Sequence, residues 1–266
     1  MLNEIILGDC LEVMKQIPDK SVDMVLCDLP YGTTACKWDT IIPFDRLWEQ
    51  YNRVCRGAFV LFGTEPFSSY LRLSNIKMYK YDWIWHKSKC GSAFTAKYRP
   101  MQKHETISVF GKGKLFYSPI LKISTPYYRK RKANNGDKPN NHKLGVISES
   151  ETINTGFRYP ETVIAFQQKW RRQDQIHPTQ KPVALFEYLI KTYTNEGDTV
   201  LDNCIGSGTT AIACINTKRN FIGIEKDEKY WNIATERVRK HKQENKPSLT
   251  SFLKAKCSGT LLTKNS

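Results

Sequence analysis

The sequence predicts an α/β protein whose strands form a doubly wound, mostly parallel sheet. Two stretches carry this prediction. Residues 22–26 are an almost continuous apolar run, which is typical of a parallel strand buried on both faces. Residues 200–210, VLDNCIGSGTT, read as a strand end followed by a glycine turn and a helix start. Ligands of such sheets bind beyond the carboxyl ends of the strands, so we expect the chemistry near Asp28 and Asp202.

The other elements follow from periodicity and from turn residues. We expect strands that end at Gly8 and at Asp202, and a helix that starts near Thr209. Further strands are predicted at 57–63, 81–87, 104–110 and 221–224, and further helices at 10–16, 183–193 and 228–241.

The glycine turn has the form of a nucleotide-binding turn. Gly206 and Gly208 let the backbone approach a ligand that any Cβ would strike. Glu225 ends the next strand 23 residues after Asp202, a distance at which an acidic side chain reaches a ribose diol. Because Gly206-x-Gly208-x-x-Ala211 also matches the dinucleotide fingerprint, a nicotinamide-dependent oxidoreductase stays open at this point. No Gly-Lys-Ser/Thr follows, which excludes a phosphate loop.

Length and composition predict a soluble globular protein, and we expect it in the cytoplasm. The chain has 266 residues and is 40% apolar, enough for one α/β domain with an insertion or for two small domains. No apolar run reaches the roughly 20 residues of a membrane span, and the N-terminus lacks a secretory pattern. The eight cysteines contain no Cys-x-x-Cys pair, so we predict neither a metal site nor disulfides.

The charge distribution predicts a polyanionic partner. Net charge is +15, and residues 112–143 carry nine basic residues against one acidic residue. The basic residues are interleaved with aromatic ones, which suits phosphate contact together with base stacking. A solvated basic loop that binds nothing is the alternative interpretation.

Two motifs make the interpretation specific. Asp28-Leu29-Pro30-Tyr31 resembles the Asp-Pro-Pro-Tyr signature of S-adenosylmethionine-dependent DNA amino-methyltransferases, and 202–210 resembles their methyl-donor motif. The acceptor motif comes first, as in the permuted beta group of that family. Leu29 departs from the usual proline, but that position is thought to contribute its backbone carbonyl. Residues 177–182, HPTQKP, resemble a further donor-binding block.

The resemblance implies a Rossmann-like methyltransferase sheet with an inserted target-recognition region. It implies methyl transfer from S-adenosylmethionine to N6 of adenine in double-stranded DNA. The acceptor site would comprise Asp28, Leu29, Pro30 and Tyr31. The donor site would comprise Asp9, Thr179, Lys181, Asp202, Ile205, Gly206, Ser207, Gly208, Thr209 and Glu225. DNA contacts would come from Arg129, Lys130, Arg131 and Lys132.

Each predicted role has a chemical reason. The lone pair of a nucleobase amine is conjugated with the ring, so Asp28 and the Leu29 carbonyl would accept its N–H groups and favour a nucleophilic nitrogen. Tyr31 would stack on a base that has been flipped out of the duplex. Glu225 would bind the ribose hydroxyls, Asp202 would lie near the methionine amino group, and Lys181 would contact the edge of the donor, as would Thr179.

The predicted division assigns 1–111 to the catalytic half, 112–175 to target recognition, 176–245 to the donor-binding half and 246–266 to a polar tail. A homodimer is expected, with the aromatic stretch 59–70 as its interface through Phe62, Phe67 and Tyr70. A companion restriction endonuclease is a further possible partner.

Four alternatives were weighed against adenine methylation. A cytosine-N4 enzyme more often has serine where this chain has Asp28. A glutamine or RNA methyltransferase would place the donor motif first. A nicotinamide oxidoreductase leaves both the 28–31 motif and the basic segment unexplained. Intact signatures argue against a catalytically dead DNA-binding module.

Overall fold

The computed structural model describes residues 1–32, 39–91, 93–132, 149–167 and 180–244. They belong to two compact units, one formed by Met1–Ser118 with Thr162–Ser266 and the other by Pro119–Glu161. The smaller unit is narrower than the predicted segment 112–175. The boundary differs because Val163–Ala165 is a strand of the large sheet, while the Ser118 N–H donates to the Thr192 carbonyl of the larger unit. Thr179 and the predicted tail 246–266 lie outside the described residues.

The helices and strands alternate along the larger unit. The helices are α1 (Cys10–Met14), α2 (Phe44–Val54), α3 (Phe67–Ser74), α4 (Val183–Tyr193), α5 (Thr209–Asn216) and α6 (Glu228–Glu244). The strands are β1 (Glu4–Leu7), β2 (Val22–Asp28), β3 (Cys55–Gly63), β4 (Tyr79–Gly91), β5 (Gln102–Phe110), β10 (Val163–Ala165), β11 (Thr199–Asp202) and β12 (Asn220–Glu225). The smaller unit has β6 (Lys122–Ile123), β7 (Tyr127–Arg131), β8 (Ser150–Asn154) and β9 (Phe157–Arg158).

One mixed sheet organises the larger unit and confirms the predicted fold class. Its eight described strands have the order β1-β12-β11-β2-β3-β5-β4-β10. The first five are mutually parallel, β5 runs antiparallel to β3 and β4, and β10 is parallel to β4. Because β2 and β11 are parallel neighbours, with Val200 opposite Met24, their last residues, Asp28 and Asp202, lie at the same edge.

Both faces of the sheet are buried. Met24 and Leu26 of β2 belong to the core on the side of α4, α5 and α6, whereas Val25 and Cys27 belong to the core on the side of α1, α2 and α3. All four of these side chains are fully buried. The apolar run 22–26 is therefore explained by two helical layers rather than one, as the sequence predicted.

The aromatic stretch predicted as a dimer interface is mostly core, so that prediction is wrong for two of its three residues. Phe62 packs on Phe186 with ring centroids 5.2 Å apart, and Phe67 packs on Tyr31 at 5.0 Å. Only Tyr70 of the predicted trio is exposed, at 59%. The physical reason is that both faces of the sheet are covered: Phe62 of β3 is buried in the core on one side, and Phe67 of α3 in the core on the other.

Candidate active site

A cavity of about 640 Å³ opens at the carboxyl edge of the parallel strands. That volume is in the range of sites that hold a cofactor-sized ligand. Its wall includes these predicted residues: Asp9, Asp28, Leu29, Pro30, Tyr31, Lys181, Gly206, Ser207, Thr209 and Glu225. The cavity therefore brings the two sequence motifs together, although about 170 residues separate them in the chain.

The glycine turn is held in place by Glu225. Gly206 has a φ of 54° and Gly208 a φ of 80°, values that favour glycine. The Gly206 N–H donates to Glu225 Oε2 at 2.8 Å, and the Asp227 N–H donates to Oε1 at 2.9 Å. A Cβ at position 208 would lie 3.3 Å from the Ala234 Cβ of α6. Burial raises the pKa of the Glu225 carboxyl.

Three residues predicted for the donor site do not line this cavity among the described residues and instead lie in or beneath the turn: Asp202, Ile205 and Gly208. Asp202 is 3% exposed and accepts the Cys204 N–H at 3.1 Å and the Thr210 hydroxyl. Burial raises the pKa of Asp202 to about 7. Its carboxyl thus lies beneath the turn and ties the end of β11 to α5, whereas the sequence led us to expect it beside the ligand.

The hydroxyl and carboxyl groups at the rim are also held by neighbours. Asp9 accepts the Leu11 N–H at 3.0 Å as the N-cap of α1 and pairs with Lys226 at 3.1 Å. The Ser207 and Thr209 hydroxyls lie 3.3 Å apart. These side chains are prepositioned, and they give the rim of the donor end its polar character.

The acceptor motif at the end of β2 is organised by Asp28. One carboxylate oxygen, Oδ1, accepts the Tyr31 hydroxyl, and the other, Oδ2, lies 2.5 Å from Lys181 Nζ. The sequence predicts Lys181 at the edge of the donor site, and in the structure its ammonium contacts Asp28 of the acceptor motif. Lys181 directly precedes Pro182, the N-cap of α4, and this position at the helix start brings its side chain to the end of β2.

Sequence reasoning missed Glu105, a charged residue of β5 that lines the same cavity. Its carboxylate lies 3.3 Å from Lys181 Nζ and 3.1 Å from Lys87 Nζ. The available signal was an acidic residue beside the apolar part of a predicted strand, HETISVF. Its partners Lys87 and Lys181 are distant from it in sequence, so spacing alone does not identify its role.

The charges around Asp28 act against one another. Burial raises the pKa of the Asp28 carboxyl; the Lys181 ammonium opposes this effect and the Glu105 carboxylate adds to it. For Glu105 burial also acts to raise the pKa, but the two ammonium groups of Lys181 and Lys87 hold it below its ordinary value.

The smaller unit presents the predicted DNA contacts on an exposed hairpin. β7 pairs with β8 in antiparallel register, with Arg129 opposite Thr152 and Lys130 opposite Glu151. Every residue of β7 is exposed. Lys130 pairs with Glu149 at 3.3 Å and with Glu151 at 3.2 Å. Exposed aromatic side chains of the same unit are Tyr127, Tyr128, Phe157 and Tyr159.

The described residues form neither a metal-binding cluster nor a membrane-spanning helix. The described ranges contain no group of three or more His, Cys, Asp or Glu side chains placed to hold a metal ion. Among the same residues no helix has the length and apolar character needed to cross a membrane.

A family model places this site among known enzymes. The model of the N6/N4 methyltransferases, described as DNA methylase, matches residues 22–236, which include both motifs. The chain belongs to this family. Membership of a DNA methylase family removes the nicotinamide oxidoreductase from consideration, since the turn at Gly206 then has a methyl-transfer context.

Similar proteins agree with the family assignment. This methyltransferase is 30% identical over 254 residues to Type II methyltransferase M.HpaI of Haemophilus parainfluenzae, covering 90% of this chain and 74% of the relative. It is 26% identical over 274 residues to Type II methyltransferase M.HinfI of Haemophilus influenzae, covering 91% and 69%.

Solved structures are similar over most of the methyltransferase. The crystal structure of the M1.HpyAVI–SAM complex matches with a TM-score of 0.58 and 25% identity, over 88% of this chain and 98% of that chain. The cytosine-N4-specific PvuII DNA methyltransferase matches with a TM-score of 0.60 and 15% identity, over 90% and 91%. The second likeness concerns the fold alone.

Proposed function

We propose that this methyltransferase transfers the methyl group of S-adenosylmethionine to N6 of adenine in double-stranded DNA. The observation that carries the proposal is the shared cavity, whose wall contains both Asp28 and the turn held by Glu225. The methyl group leaves a sulfonium and joins an amine in one in-line displacement, so a site that holds both reactants in contact supplies much of the acceleration.

At the donor end, Glu225 is the proposed ligand of the ribose hydroxyls. Each of its oxygens already accepts one backbone N–H, from Gly206 or from Asp227, and each keeps a lone pair for a hydroxyl. The positive φ of Gly206 turns the chain at the cavity wall without a side chain. Ser207 and Thr209 offer hydroxyls at the same wall, and Asp9 offers a carboxylate at the rim.

At the acceptor end, Asp28 and the Leu29 carbonyl are the proposed acceptors of the two amino N–H groups. With both N–H groups engaged, the nitrogen lone pair can point toward the methyl carbon. The C–S bond breaks as the C–N bond forms, and the nitrogen then loses one proton to restore a neutral amine. Asp28, as a carboxylate at hydrogen-bonding distance from that nitrogen, is the proposed first acceptor of this proton.

The smaller unit is the proposed source of DNA contacts. Arg129, Arg131 and Lys132 are exposed, and phosphate neutralisation by such residues offsets the few kcal/mol that flipping a base out of the stack costs. The exposed aromatic side chains nearby in the sequence suit stacking on bases.

The choice of adenine rests on Asp28. The fold does not decide it, because a cytosine-N4-specific enzyme shares this fold. In the family that the motifs resemble, cytosine-N4 members more often carry serine at this position, which supports adenine here. The Type II designations of M.HpaI and M.HinfI support a companion restriction endonuclease, and a homodimer remains a proposal without an assigned interface.

Long-read sequencing of DNA from cells that express the chain tests the proposal, because it reports both the modified base and its sequence context. We expect N6-methyladenine at one recurring sequence, and none in cells that express the Asp28→Ala variant at an equal level. N4-methylcytosine at such a sequence would overturn the choice of base, and unmodified DNA from both cultures would overturn the activity.

A further inference from the structure

Four charged, largely buried side chains form a chain of ion pairs along the acceptor end of the cavity. Asp28 Oδ2 lies 2.5 Å from Lys181 Nζ, which lies 3.3 Å from Glu105 Oε2, and Glu105 Oε1 lies 3.1 Å from Lys87 Nζ. The side chains are 22%, 8%, 13% and 15% exposed, from Asp28 through Lys181 and Glu105 to Lys87. The proposed chemistry uses only Asp28, so the other three charges need a reason.

Both carboxylate oxygens of Asp28 already have a hydrogen-bond partner. Its Oδ1 accepts the Tyr31 hydroxyl and its Oδ2 accepts the Lys181 ammonium. Each oxygen keeps a second lone pair, but a target N–H at Oδ2 would share that oxygen with the Lys181 ammonium, whose positive charge weakens it as an acceptor. If the Lys181 ammonium moves away from Asp28, it needs another anionic partner, because a buried ammonium without a partner is strongly unfavourable.

Glu105 offers the place for Lys181 to go. Its Oε2 is buried and makes no hydrogen bond among the described residues, although Lys181 Nζ is only 3.3 Å away. A short movement of the Lys181 ammonium would turn this ion pair into a direct hydrogen bond to Glu105 Oε2. The same movement would free Asp28 Oδ2. Lys87 pairs with the other Glu105 oxygen, so the negative charge of Glu105 is already balanced on that side.

We propose that Lys181 and Glu105 are positioning residues: Lys181 aligns the Asp28 carboxylate before the target amino group binds, and moves onto Glu105 Oε2 when that amino group takes Asp28 Oδ2. The inference rests on the proposed function and adds a mobile counter-ion to it. Lys181 and Glu105 act through Asp28.

The proposal has a signature in pH. The ionisable groups that face Asp28 are Tyr31 on the loop after β2, Lys181 before α4, Glu105 on β5 and Asp202 on β11, with Lys87 on β4 behind Glu105. Loss of the Lys181 cation raises the pKa of Asp28, so activity should need a higher pH. Loss of the Glu105 anion lowers that pKa, so the acidic limb of the profile should move to lower pH.

The test compares Lys181→Met and Glu105→Gln with the matched controls Lys218→Met and Glu196→Gln. Lys218 and Glu196 form an exposed ion pair at the same 3.3 Å distance. We expect each cavity variant to lose about 100-fold in kcat/KM for DNA methylation at pH 7, the size typical of misplaced reacting groups. Calorimetry should give a Kd for S-adenosylmethionine within a few-fold of wild type. Lys181→Arg should recover part of the lost activity, and the controls should match wild type.

The direction of the pH shift decides the outcome. The acidic limb of kcat/KM should move up for Lys181→Met by about one pH unit or more, and down for Glu105→Gln. Limbs that stay in place, or that move in the same direction, would overturn the inference while wild-type activity upholds the proposed function. A wild-type protein that binds the donor and never methylates DNA would overturn both. If Lys181→Met does not fold, the isosteric Glu105→Gln decides by the direction of its own shift.

Discussion

The two ends of the cavity are built in different ways. The donor end is built around one carboxylate, Glu225, which the N–H groups of Gly206 and Asp227 hold in place. The acceptor end consists of charged side chains from separate elements, with Asp28, Lys181 and Glu105 within ion-pairing distance. The difference indicates two roles. A carboxylate held by backbone N–H groups suits the binding of one cofactor that does not vary, whereas a network of charged side chains can rearrange when a substrate base binds.

The largest difference between the two ends is expected when Asp28 is changed. Asp28→Ala should lower kcat for methyl transfer by about 1000-fold or more, because both the acceptor of the amino N–H and the proposed proton acceptor are removed. Donor affinity should stay within a few-fold of wild type, since the donor end does not depend on this side chain. Single-turnover kinetics and calorimetry measure the two quantities. Asp19→Ala, at a side chain that is 72% exposed, is the control; turnover of Asp28→Ala near the wild-type rate would place the acceptor site elsewhere.

A change at Glu225 is expected to affect donor binding first. Glu225→Ala should weaken S-adenosylmethionine binding by about 10- to 100-fold, the value of one or two hydrogen bonds to a charged group. It also removes the acceptor of the Gly206 N–H, so the turn loses its anchor. Calorimetry of the variant against Glu228→Ala, an exposed glutamate in the first turn of α6, measures the effect. Equal affinities in the two variants would remove Glu225 from the donor site.

The smaller unit sharpens the comparison because it should affect DNA and not the donor. Changing Arg129, Arg131 and Lys132 together to Ala should weaken duplex binding by about 10-fold and make the log–log salt slope shallower by about 2.7. Lys130→Ala should change less, since Glu149 and Glu151 already pair with Lys130. Fluorescence anisotropy over a salt series gives both values. An unchanged slope in the triple variant would make this hairpin a solvated surface.

The smallest expected effect is the pH dependence of donor binding. Burial raises the pKa of Glu225 above its ordinary value of 4.5, and only the carboxylate form accepts two ribose hydroxyls. Affinity for S-adenosylmethionine should therefore fall by a few-fold as pH decreases from 8 to 5, beginning at a higher pH than a solvated glutamate would show. Glu225→Gln should remove most of this dependence, and persistence of the full dependence in that variant would assign it to another group such as Asp9.

The same difference explains what the sequence could predict. The donor end is local in the chain, so the spacing of Gly206, Gly208 and Glu225 indicated the turn and the following strand before any coordinates. Asp202 was placed at the correct strand end, but its direction depends on Thr210 and on burial, which spacing does not report.

The acceptor end was only partly predictable. The motif 28–31 identified Asp28 by resemblance, while Glu105 and the contact of Lys181 depend on how β2, β5 and the start of α4 meet in space. The smaller unit ends before the predicted segment 112–175 does for a related reason, because the pairing of Val163–Ala165 with β4 is a long-range contact. Helix α4 and the buried strand β2 were predictable because their apolar patterns are local.

The identity of the methylated nucleoside tests the central claim most directly. Purified protein would be incubated with duplex DNA and S-adenosylmethionine carrying a labelled methyl group, and the DNA would then be digested to nucleosides and separated. The account predicts that the label is in N6-methyl-2′-deoxyadenosine from the wild-type reaction and is absent from the Asp28→Ala reaction. Label in N4-methyl-2′-deoxycytidine, or equal label in N6-methyl-2′-deoxyadenosine from both proteins, would contradict it.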